Sequence, residues 1–407
     1  MPSPTLAHPA ASSHTTPAPL SPPTPLAPDI RSHWTLDPSV AFLNHGSFGA
    51  CPREVLAEQQ RLRDELEREP LLFLDRTRDG RLDQALTAVG AFIGATRGNL
   101  GFVTNATEGC AAVIRSIDLK PGDELLTTAH AYDAISFTLQ HVADRAGAKV
   151  IRVPIDTPYV GDDRFVSLID SAITPRTRLV VVDHITSVSA LVLPVKAIVE
   201  RCAARGVDVL IDGAHAPGMI DLNIEQLGAA WYTGNLHKWV CAPKGAGFLH
   251  ARRDRQRNLH PAIVSNHYGQ GFAAEFNWQG TRDITPWLSA PRAIEFMGQF
   301  GWDRVRQHNH QMAAWAQRLL CETWGVEPLS PLDGSSLGSM ASVPLPPRVA
   351  ARYADRGECV RELFERFRIE IPGMVVNGLL TLRLSCQVYN RAEEYEKLAA
   401  AVVGLGG

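Results

Sequence analysis

The sequence predicts an α/β protein, with a mostly parallel sheet covered by helices on both faces and a smaller α+β unit at its C-terminal end. Short apolar runs alternate with helix-like segments from about residue 100 to residue 251, which is typical of repeated βαβ units. The run at 179–182 is apolar without alternation, as expected for a strand buried on both faces. Strands and helices alternate again after residue 339, and this predicts the second unit.

Composition excludes several functional classes. With 407 residues, a hydrophobic fraction of 45% and a net charge of −3, the chain should form two or three globular domains without a nucleic-acid or membrane surface. No run approaches the roughly 18 apolar residues that a membrane span requires. Seven scattered cysteines, none in a CxxC spacing, argue against a disulfide framework and a metal site. They indicate a reducing, cytoplasmic location.

Composition and pattern divide the chain into four segments. Residues 1–30 hold nine of the 28 prolines and no Lys or Arg, so we expect a disordered tail rather than a targeting peptide. We expect 31–60 to pack with the small domain, 61–297 to form the large, ligand-binding domain, and 298–407 to form the small α+β domain.

Individual elements follow from periodicity and from flanking turn residues. Helices are predicted at 53–69, 79–94, 108–114, 133–146, 164–173, 195–205, 287–324 (with a break at 298–301), 350–367 and 391–403. Strands are predicted at 100–104, 123–128, 149–154, 179–182, 209–211, 247–249, 339–344 and 379–386.

A glycine-containing turn at 42–49 is the first candidate binding segment. Gly46 and Gly49 permit a close backbone approach or a positive φ. The turn is either a plain loop or a loop folded over a ligand, with Asn44 and His45 as its polar contacts.

Further polar residues follow the predicted strands. Asn-Ala-Thr at 105–107 joins a strand to a helix, and free N–H groups at such a helix N-terminus can bind phosphate. Ligands of open parallel sheets bind at the carboxyl ends of strands. The residues placed just past those ends are Thr107, His130, Ser187, Asp212 and His215.

One lysine stands out within the segment 231–247. Lys238 lies between His237 and Trp239 in a run without other charges from 231 to 243. It is either a solvated surface lysine or a buried one, and burial would favour the unprotonated, nucleophilic amine. A phosphate site, a carboxylate after a strand (Asp212) and such a lysine together suit pyridoxal 5'-phosphate (PLP). In this arrangement the lysine binds the aldehyde, and an ionised Asp212 pairs with the ring nitrogen.

Five ordered motifs carry a resemblance to a known family. NATEG at 105–109, DGAHAPG at 212–218, TGNLHKW at 233–239, WQGTRD at 278–283 and LRLSCQVYN at 382–390 resemble fold-type I PLP enzymes of the class V aminotransferase family. The NHGSFG opening, the TGNLHKW spelling and the GTRD box most resemble its isopenicillin N epimerase-like branch. The resemblance runs from about residue 43 to the C-terminus and implies a PLP enzyme with a seven-stranded-type sheet.

The resemblance also implies roles for individual residues. Lys238 would bind the cofactor covalently and move protons, Asp212 would pair with the pyridinium, and His215 would reach the phenolic oxygen. His130 would stack on the ring, although Tyr132 is close enough in sequence to compete for that role. The residues implied to hold the phosphate are Ala106, Thr107, Asn235 and His237.

Substrate and partner contacts are implied in the same way. Arg383 would clamp the substrate carboxylate with its planar fork; the alternative is that it faces solvent between two apolar neighbours. Ser187 stands where related desulfurases often have Asn. Thr281 would reach the phosphate of a partner subunit, which implies a homodimer.

Several reactions fit this set of residues. Epimerisation, β-elimination as in a C–S lyase such as a hercynylcysteine sulfoxide lyase, and transamination all begin with loss of the α-proton. A desulfurase would need a cysteine shortly before Arg383, and 360–382 contains none. We expect an amino-acid epimerase, whose second proton donor could be His45, Tyr268 or Cys386.

Two further classes compete with this interpretation. A PLP fold used only for binding is disfavoured because Lys238, Asp212 and Arg383 occur together. A nicotinamide dehydrogenase would need GxGxxG after its first strand, and the sequence has none there.

Overall fold

The computed structural model describes residues 21–406. Its strands, in chain order, are β1 Ala41–Phe42, β2 Leu100–Val103, β3 Glu124–Thr128, β4 Lys149–Val153, β5 Thr177–Asp183, β6 Asp208–Gly213, β7 Trp231–Asn235, β8 Gly247–Ala251, β9 Met340–Pro344, β10 Ile369–Glu370, β11 Gly373–Val376 and β12 Leu379–Ser385.

The helices of the same residues flank these strands. They are α1 His45–Phe48, α2 Arg53–Arg68, α3 Arg78–Ile93, α4 Ala106–Arg115, α5 Asp133–Ala146, α6 Asp162–Ala172, α7 Val195–Ala204, α8 Ile224–Leu227, α9 Phe272–Asn277, α10 Thr285–Leu288, α11 Ala290–Gly298, α12 Trp302–Trp324, α13 Pro347–Ala350, α14 Arg356–Phe367 and α15 Ala392–Leu405. Short 3-10 turns occupy Ile30–His33, Arg97–Asn99 and Arg253–Arg255, and a π-helical turn occupies Leu72–Arg76.

A seven-stranded sheet in the order β2-β8-β7-β6-β5-β3-β4 forms the centre of the large domain. Strands β7, β6, β5, β3 and β4 are parallel, and β8 runs antiparallel to both of its neighbours. Alternate residues of β5 enter different cores: Val180 and Val182 pack on one face, and Leu179 and Val181 pack on the other. The predicted doubly covered sheet is therefore confirmed, and its continuous apolar strands are explained by burial on both sides.

The C-terminal unit has a core of its own. Strands β11, β12 and β9 form an antiparallel sheet, and helices α12, α14 and α15 contribute to the core around it. Helix α14 begins at Arg356, six residues later than predicted, because the Asp355 side chain accepts hydrogen bonds from the N–H groups of Gly357 and Glu358 and so caps the helix there.

The N-terminal segments differ from their predicted arrangement. Residues 1–20 of the expected tail lie outside the described residues. From Leu26 onward, however, the chain packs on the large core, and Ile30 is buried within it. Within the predicted segment 31–60, β1 pairs with β10 of the small unit, whereas Trp34 belongs to the large core. That segment therefore packs against both units.

Between residues 21 and 406, every helix is too short or too polar to serve as a membrane span.

Candidate active site

A cavity of about 270 Å³ opens where the carboxyl ends of β5, β6 and β7 meet the N-terminus of α4. It is lined by Gly46, Ser47, Phe48, Asn105, Ala106, Thr107, Tyr132, Asp183, Ser187, Asp212, Ala214, His215, Asn235, His237, Lys238, Met374 and Arg383. The large domain supplies most of the wall, and the small unit adds Met374 from β11 and Arg383 from β12. Nine of the thirteen predicted site residues are in this lining.

The N-terminus of α4 forms one end of the cavity. Asn105 caps the helix by accepting from the Glu108 N–H at 2.9 Å, and the Ala106 N–H donates to Asn235 Oδ1 at 2.8 Å. Thr107 stands between these two bonded positions on the cavity wall. The Ala106 N–H, which we predicted to hold phosphate, is thus already bonded to Asn235, and Asn235 ties the end of β7 to the helix.

His237 lies on the same wall. Its Nδ1 donates to the Ala246 carbonyl at 3.0 Å, so Nε2 is the remaining ring nitrogen. Burial is the main reason that its pKa falls to about 4, and a neutral ring results. Gly49 ends α1 against this backbone with a φ of 72°, and a Cβ there would lie 1.9 Å from the His237 carbonyl oxygen. Only glycine permits this approach.

Two carboxyl groups lie side by side on the floor of the cavity. Asp183 and Asp212 are register partners at the ends of the parallel strands β5 and β6, and both are buried. The Asp212 Oδ1 accepts from the Ala214 N–H at 3.0 Å. Burial raises the pKa of Asp212, and burial together with the charge of Asp212 raises the pKa of Asp183 well above its usual range.

Lys238 reaches the cavity from the loop after β7. Its Nζ lies 3.2 Å from Nε2 of His215. Burial, and next the positive charge of Arg383, lower the Lys238 pKa to about 7, although Asp212 and Asp183 act in the opposite direction. A substantial fraction of this amine is therefore unprotonated near neutral pH. The solvated-lysine alternative does not fit this environment.

Arg383 occupies the opposite, small-unit side of the cavity. Only 2% of its surface is exposed, so the solvent-facing alternative is wrong. Its guanidinium donates to the Ser187 carbonyl at 2.6 Å and to Ser47 Oγ at 3.3 Å. Its buried Nε has no partner among the described residues. A guanidinium that lines the cavity and is held by two serines can bind a planar carboxylate.

Three predicted ring or substrate contacts lie outside the cavity wall. His130 is buried behind it, with Nδ1 2.9 Å from Ser189 Oγ and Nε2 3.2 Å from Asn377 Oδ1. Both ring nitrogens are therefore engaged, and Tyr132 rather than His130 lines the cavity.

Asn44 and His45 are likewise displaced. His45 lies behind Lys238, and its Nε2 donates to the Lys238 carbonyl at 2.9 Å. The Asn44 Nδ2 donates to Glu370 Oε1 at 3.4 Å. Their neighbours in α1, Gly46 to Phe48, line the cavity instead.

The remaining candidates are also outside this wall. Thr281 is exposed. Of the proposed second proton donors, Tyr268 is 63% exposed, and Cys386, like His45, is fully buried away from the cavity.

Sequence reasoning overlooked Asp183 and Ser47 as site residues. Asp183 was visible as a charged residue that ends the apolar β5 run, directly before His184. Burial lowers the pKa of Arg383, and the Tyr132 phenol acts in the opposite direction. Nothing in the spelling of the 42–49 turn distinguished Ser47 from Asn44.

Comparisons with known proteins identify a family and relatives that this chain resembles. Residues 77–398 match the family described as Aminotransferase class-V. Isopenicillin N epimerase of Amycolatopsis lactamdurans is 34% identical over 92% of this chain and 97% of its own. A probable chloroplastic L-cysteine desulfhydrase of Arabidopsis thaliana is 31% identical over 91% of this chain and 83% of its own. The fold resembles that of a C-DES mutant with glycine covalently linked to its PLP cofactor, with a TM-score of 0.79, 22% identity and coverage of 92% and 99% of the two chains.

Proposed function

The chain belongs to the class V aminotransferase family and is a PLP-dependent enzyme, and from this premise we propose that it is an epimerase acting at the α-carbon of an amino acid. The proposal places it with the isopenicillin N epimerase-type enzymes. The observation that carries it is the approach of two proton-bearing side chains, Lys238 and Tyr132, to one cavity from opposite sides of β5 and β6.

The residues of the cavity suit the cofactor. Lys238 would bind its aldehyde, Asp212 its ring nitrogen and His215 its phenolic oxygen, while Thr107 and the Nε2 of His237 would hold its phosphate. Each group suits its part of the cofactor. The nucleophilic amine suits the aldehyde, the buried carboxylate suits the ring nitrogen, and the helix N-terminus beside a neutral imidazole suits the phosphate. When bound, PLP supplies an aldehyde for amines and a ring that accepts electrons from the substrate α-carbon.

Arg383 would bind the substrate carboxylate. Its buried charge is held by Ser187 and Ser47, so a substrate carboxylate would add charge-assisted hydrogen bonds to the guanidinium. Fixing the carboxylate in this way orients the α-carbon toward the rest of the cavity.

Lys238 would act as the first base. Burial lowers its pKa to about 7, and a base is most effective when its pKa lies near the working pH. The strand order β7-β6-β5-β3 puts the Lys238 loop on one side of the two aspartates and the Tyr132 loop on the other. Tyr132 is the lining side chain on that side with a transferable proton, and we assign it the proton return to the face opposite Lys238, which epimerisation requires.

A second candidate function is a C–S or other β-lyase. It is favoured by the desulfhydrase relatives, which are about as similar to this chain as the epimerases. A β-lyase needs Lys238 as a base and no proton return to the opposite face. A transaminase would also use the same first step, but no specific observation favours it here. The presence of Lys238, Asp212 and Arg383 in one cavity supports catalysis over a binding-only role.

We also propose a homodimer. Thr281 follows Gly280, which has a φ of 93°, and its side chain is exposed on the protomer rather than turned into its own cavity. This supports a role for Thr281 at a partner's site.

Isotope exchange in deuterated water tests the reaction. Isopenicillin N and L-cysteine would be incubated separately with the enzyme. We expect one of the two to be recovered with deuterium at its α-carbon and with inverted configuration there, without ammonia release. Mass spectrometry, chiral chromatography and an ammonia assay would measure this. Stoichiometric ammonia would instead establish the lyase.

Three variants sharpen the result. Lys238→Ala should lose both exchange and inversion, and Tyr132→Phe should retain exchange but lose inversion, because only the second proton donor is removed. Tyr268→Phe, at a tyrosine outside the cavity wall, is the matched control and should behave as wild type. Inversion by Tyr132→Phe at the wild-type rate would refute the proposed role of Tyr132.

A further inference from the structure

We propose that Trp239 is a positioning residue that fixes His215 in the tautomer donating a hydrogen bond to Lys238. This inference rests on the proposed role of Lys238 as the reactive amine. Trp239 directly follows Lys238 in the chain but does not itself line the cavity.

The direction of the hydrogen bonds follows from the chemistry of the indole. Trp239 Nε1 lies 3.4 Å from Nδ1 of His215, and an indole nitrogen can only donate. Nδ1 of His215 must therefore be the acceptor and carry no proton. In a neutral imidazole the proton is then on Nε2, the nitrogen that lies 3.2 Å from Lys238 Nζ.

The surroundings keep the His215 ring neutral. His215 is buried, and burial is the largest cause that lowers its pKa well below the usual range. The positive charges of Lys238 and Arg383, and the rings of His237 and His45, act in the same direction. An imidazolium is thus disfavoured from every side, and the choice left to the ring is between its two neutral tautomers.

The Trp239 indole is itself held in place. Only 1% of its surface is exposed, and its ring packs against His45 with centroids 4.9 Å apart. His45 is in turn fixed by the Tyr389 hydroxyl at 2.7 Å and the Lys238 carbonyl at 2.9 Å. The buried His45, which does not reach the cavity, therefore acts as a support for Trp239.

The tautomer matters for the protonation of Lys238. A His215 Nε2–H needs an acceptor with a lone pair. Of the two forms of Lys238, only the unprotonated amine has one. The opposite tautomer would accept a hydrogen bond from the ammonium form. Trp239 thereby favours the nucleophilic amine, in addition to the effects of burial and Arg383, and against the opposing charges of Asp212 and Asp183.

The test is the rate of PLP uptake by apoenzyme as a function of pH. For wild type we expect the rate to rise with a midpoint near the Lys238 pKa of about 7. In Trp239→Phe the midpoint should move upward by about one pH unit, the scale of one lost hydrogen bond. An unchanged midpoint would overturn the proposal.

Trp231→Phe is a matched control. Trp231 is also buried, and its Nε1 has no hydrogen-bond partner among the described residues, so its midpoint should equal that of wild type. PLP ionises in the same way with every variant, so a difference in midpoint between Trp239→Phe and this control arises from the protein.

Two measurements keep the result interpretable. Borohydride reduction of Lys238→Ala loaded with PLP tests the proposed function separately: a reducible bond retained there would refute the role of Lys238, whatever Trp239 does. If Trp239→Phe does not fold, nitrogen NMR of histidine-labelled wild-type protein, assigned with His215→Gln, decides the tautomer. A protonated Nδ1 on His215 would refute the proposal.

Discussion

Asp183 and Asp212 are two buried carboxyl groups at the cavity wall. Both are buried at the ends of adjacent strands, and burial raises the pKa of each. Asp212 has the Ala214 N–H as a donor, whereas the charge of Asp212 is the second cause that raises the pKa of Asp183. Two adjacent buried carboxyl groups disfavour a second negative charge, so ionisation of Asp212 favours the protonated form of Asp183.

Asp183→Asn should stabilise the apoenzyme, and more so as the pH rises. A carboxyl group whose folded-state pKa is raised contributes stability below its unfolded pKa of about 4 and loses that contribution as the pH rises toward the folded value. The asparagine amide has the shape of the neutral acid but does not ionise. Thermal unfolding at pH 5 and pH 8 should show a larger gain over wild type at pH 8.

A carboxylate of the opposite kind is the control. The pKa of Asp123 is lowered, chiefly by the Lys120 N–H and also by Arg178, so Asp123→Asn should lose stability above the unfolded pKa. If both substitutions changed the unfolding temperature in the same direction at pH 8, burial of Asp183 would not explain its raised pKa.

The β11–β12 hairpin connects the small unit to the cavity. Its two-residue turn has φ values of 48° at Asn377 and 83° at Gly378, as a hairpin turn of the primed types requires. The Asn377 amide donates to the Ile155 carbonyl at 3.0 Å and to Thr157 Oγ1 at 2.8 Å, and its oxygen accepts from His130. The hairpin that carries Arg383 is thus fastened to the large domain.

Asn377→Gly should weaken substrate binding while retaining the turn. Glycine tolerates the positive φ, but three hydrogen bonds to the large domain are lost. We expect KM to rise roughly fivefold to tenfold with kcat little changed, the equivalent of about 1 kcal/mol of uniform binding. Steady-state kinetics on the substrate identified by isotope exchange would measure both constants.

Asn377→Asp separates the contributions within that turn. Aspartate keeps the acceptor toward His130 but cannot donate to Ile155 or Thr157. Because a carboxylate oxygen would then face the Ile155 carbonyl, a KM at or above that of Asn377→Gly is expected. A fall in unfolding temperature with an unchanged KM in both variants would mean that the hairpin contact is structural only.

Periodicity predicted most elements because their burial is local and regular: β5, β6 and the helices around them occur close to the expected residues. The exchange of His130 for Tyr132 could not be predicted. Both residues lie between β3 and α5, and only the path of that turn and the position of Asn377, far along the chain, decide which one faces the cavity. The same holds for Asn44 and Ser47 within one helical turn of α1.

The cavity is assembled from two units of one chain, and the proposed dimer would add a third contribution. The segment between β8 and α9 exposes apolar side chains, among them Ile263, Val264 and Tyr268. Phe48, at the cavity wall, is 72% exposed. Exposed apolar residues of this size are common at subunit contacts, and Thr281 belongs to the exposed loop that follows α9.

Mixed dimers of two variants should be more active than the average of their parents. If Thr281 serves the partner's cavity, a Lys238→Ala chain paired with a Thr281→Ala chain forms one intact site, with Lys238 from one chain and Thr281 from the other. Random exchange between the two variants should then give about a quarter of the wild-type sites, as the statistics of a symmetric dimer require. Activity and borohydride-reducible PLP, both measured after mixing, should rise together toward that fraction.

Mixing Lys238→Ala with Lys238→Ala/Thr281→Ala is the control and should give no activity, since no chain retains the lysine. If Thr281 acted within its own chain or not at all, the first mixture would not exceed the average of its parents, because every site with Lys238 would still carry whatever defect the alanine at 281 produces.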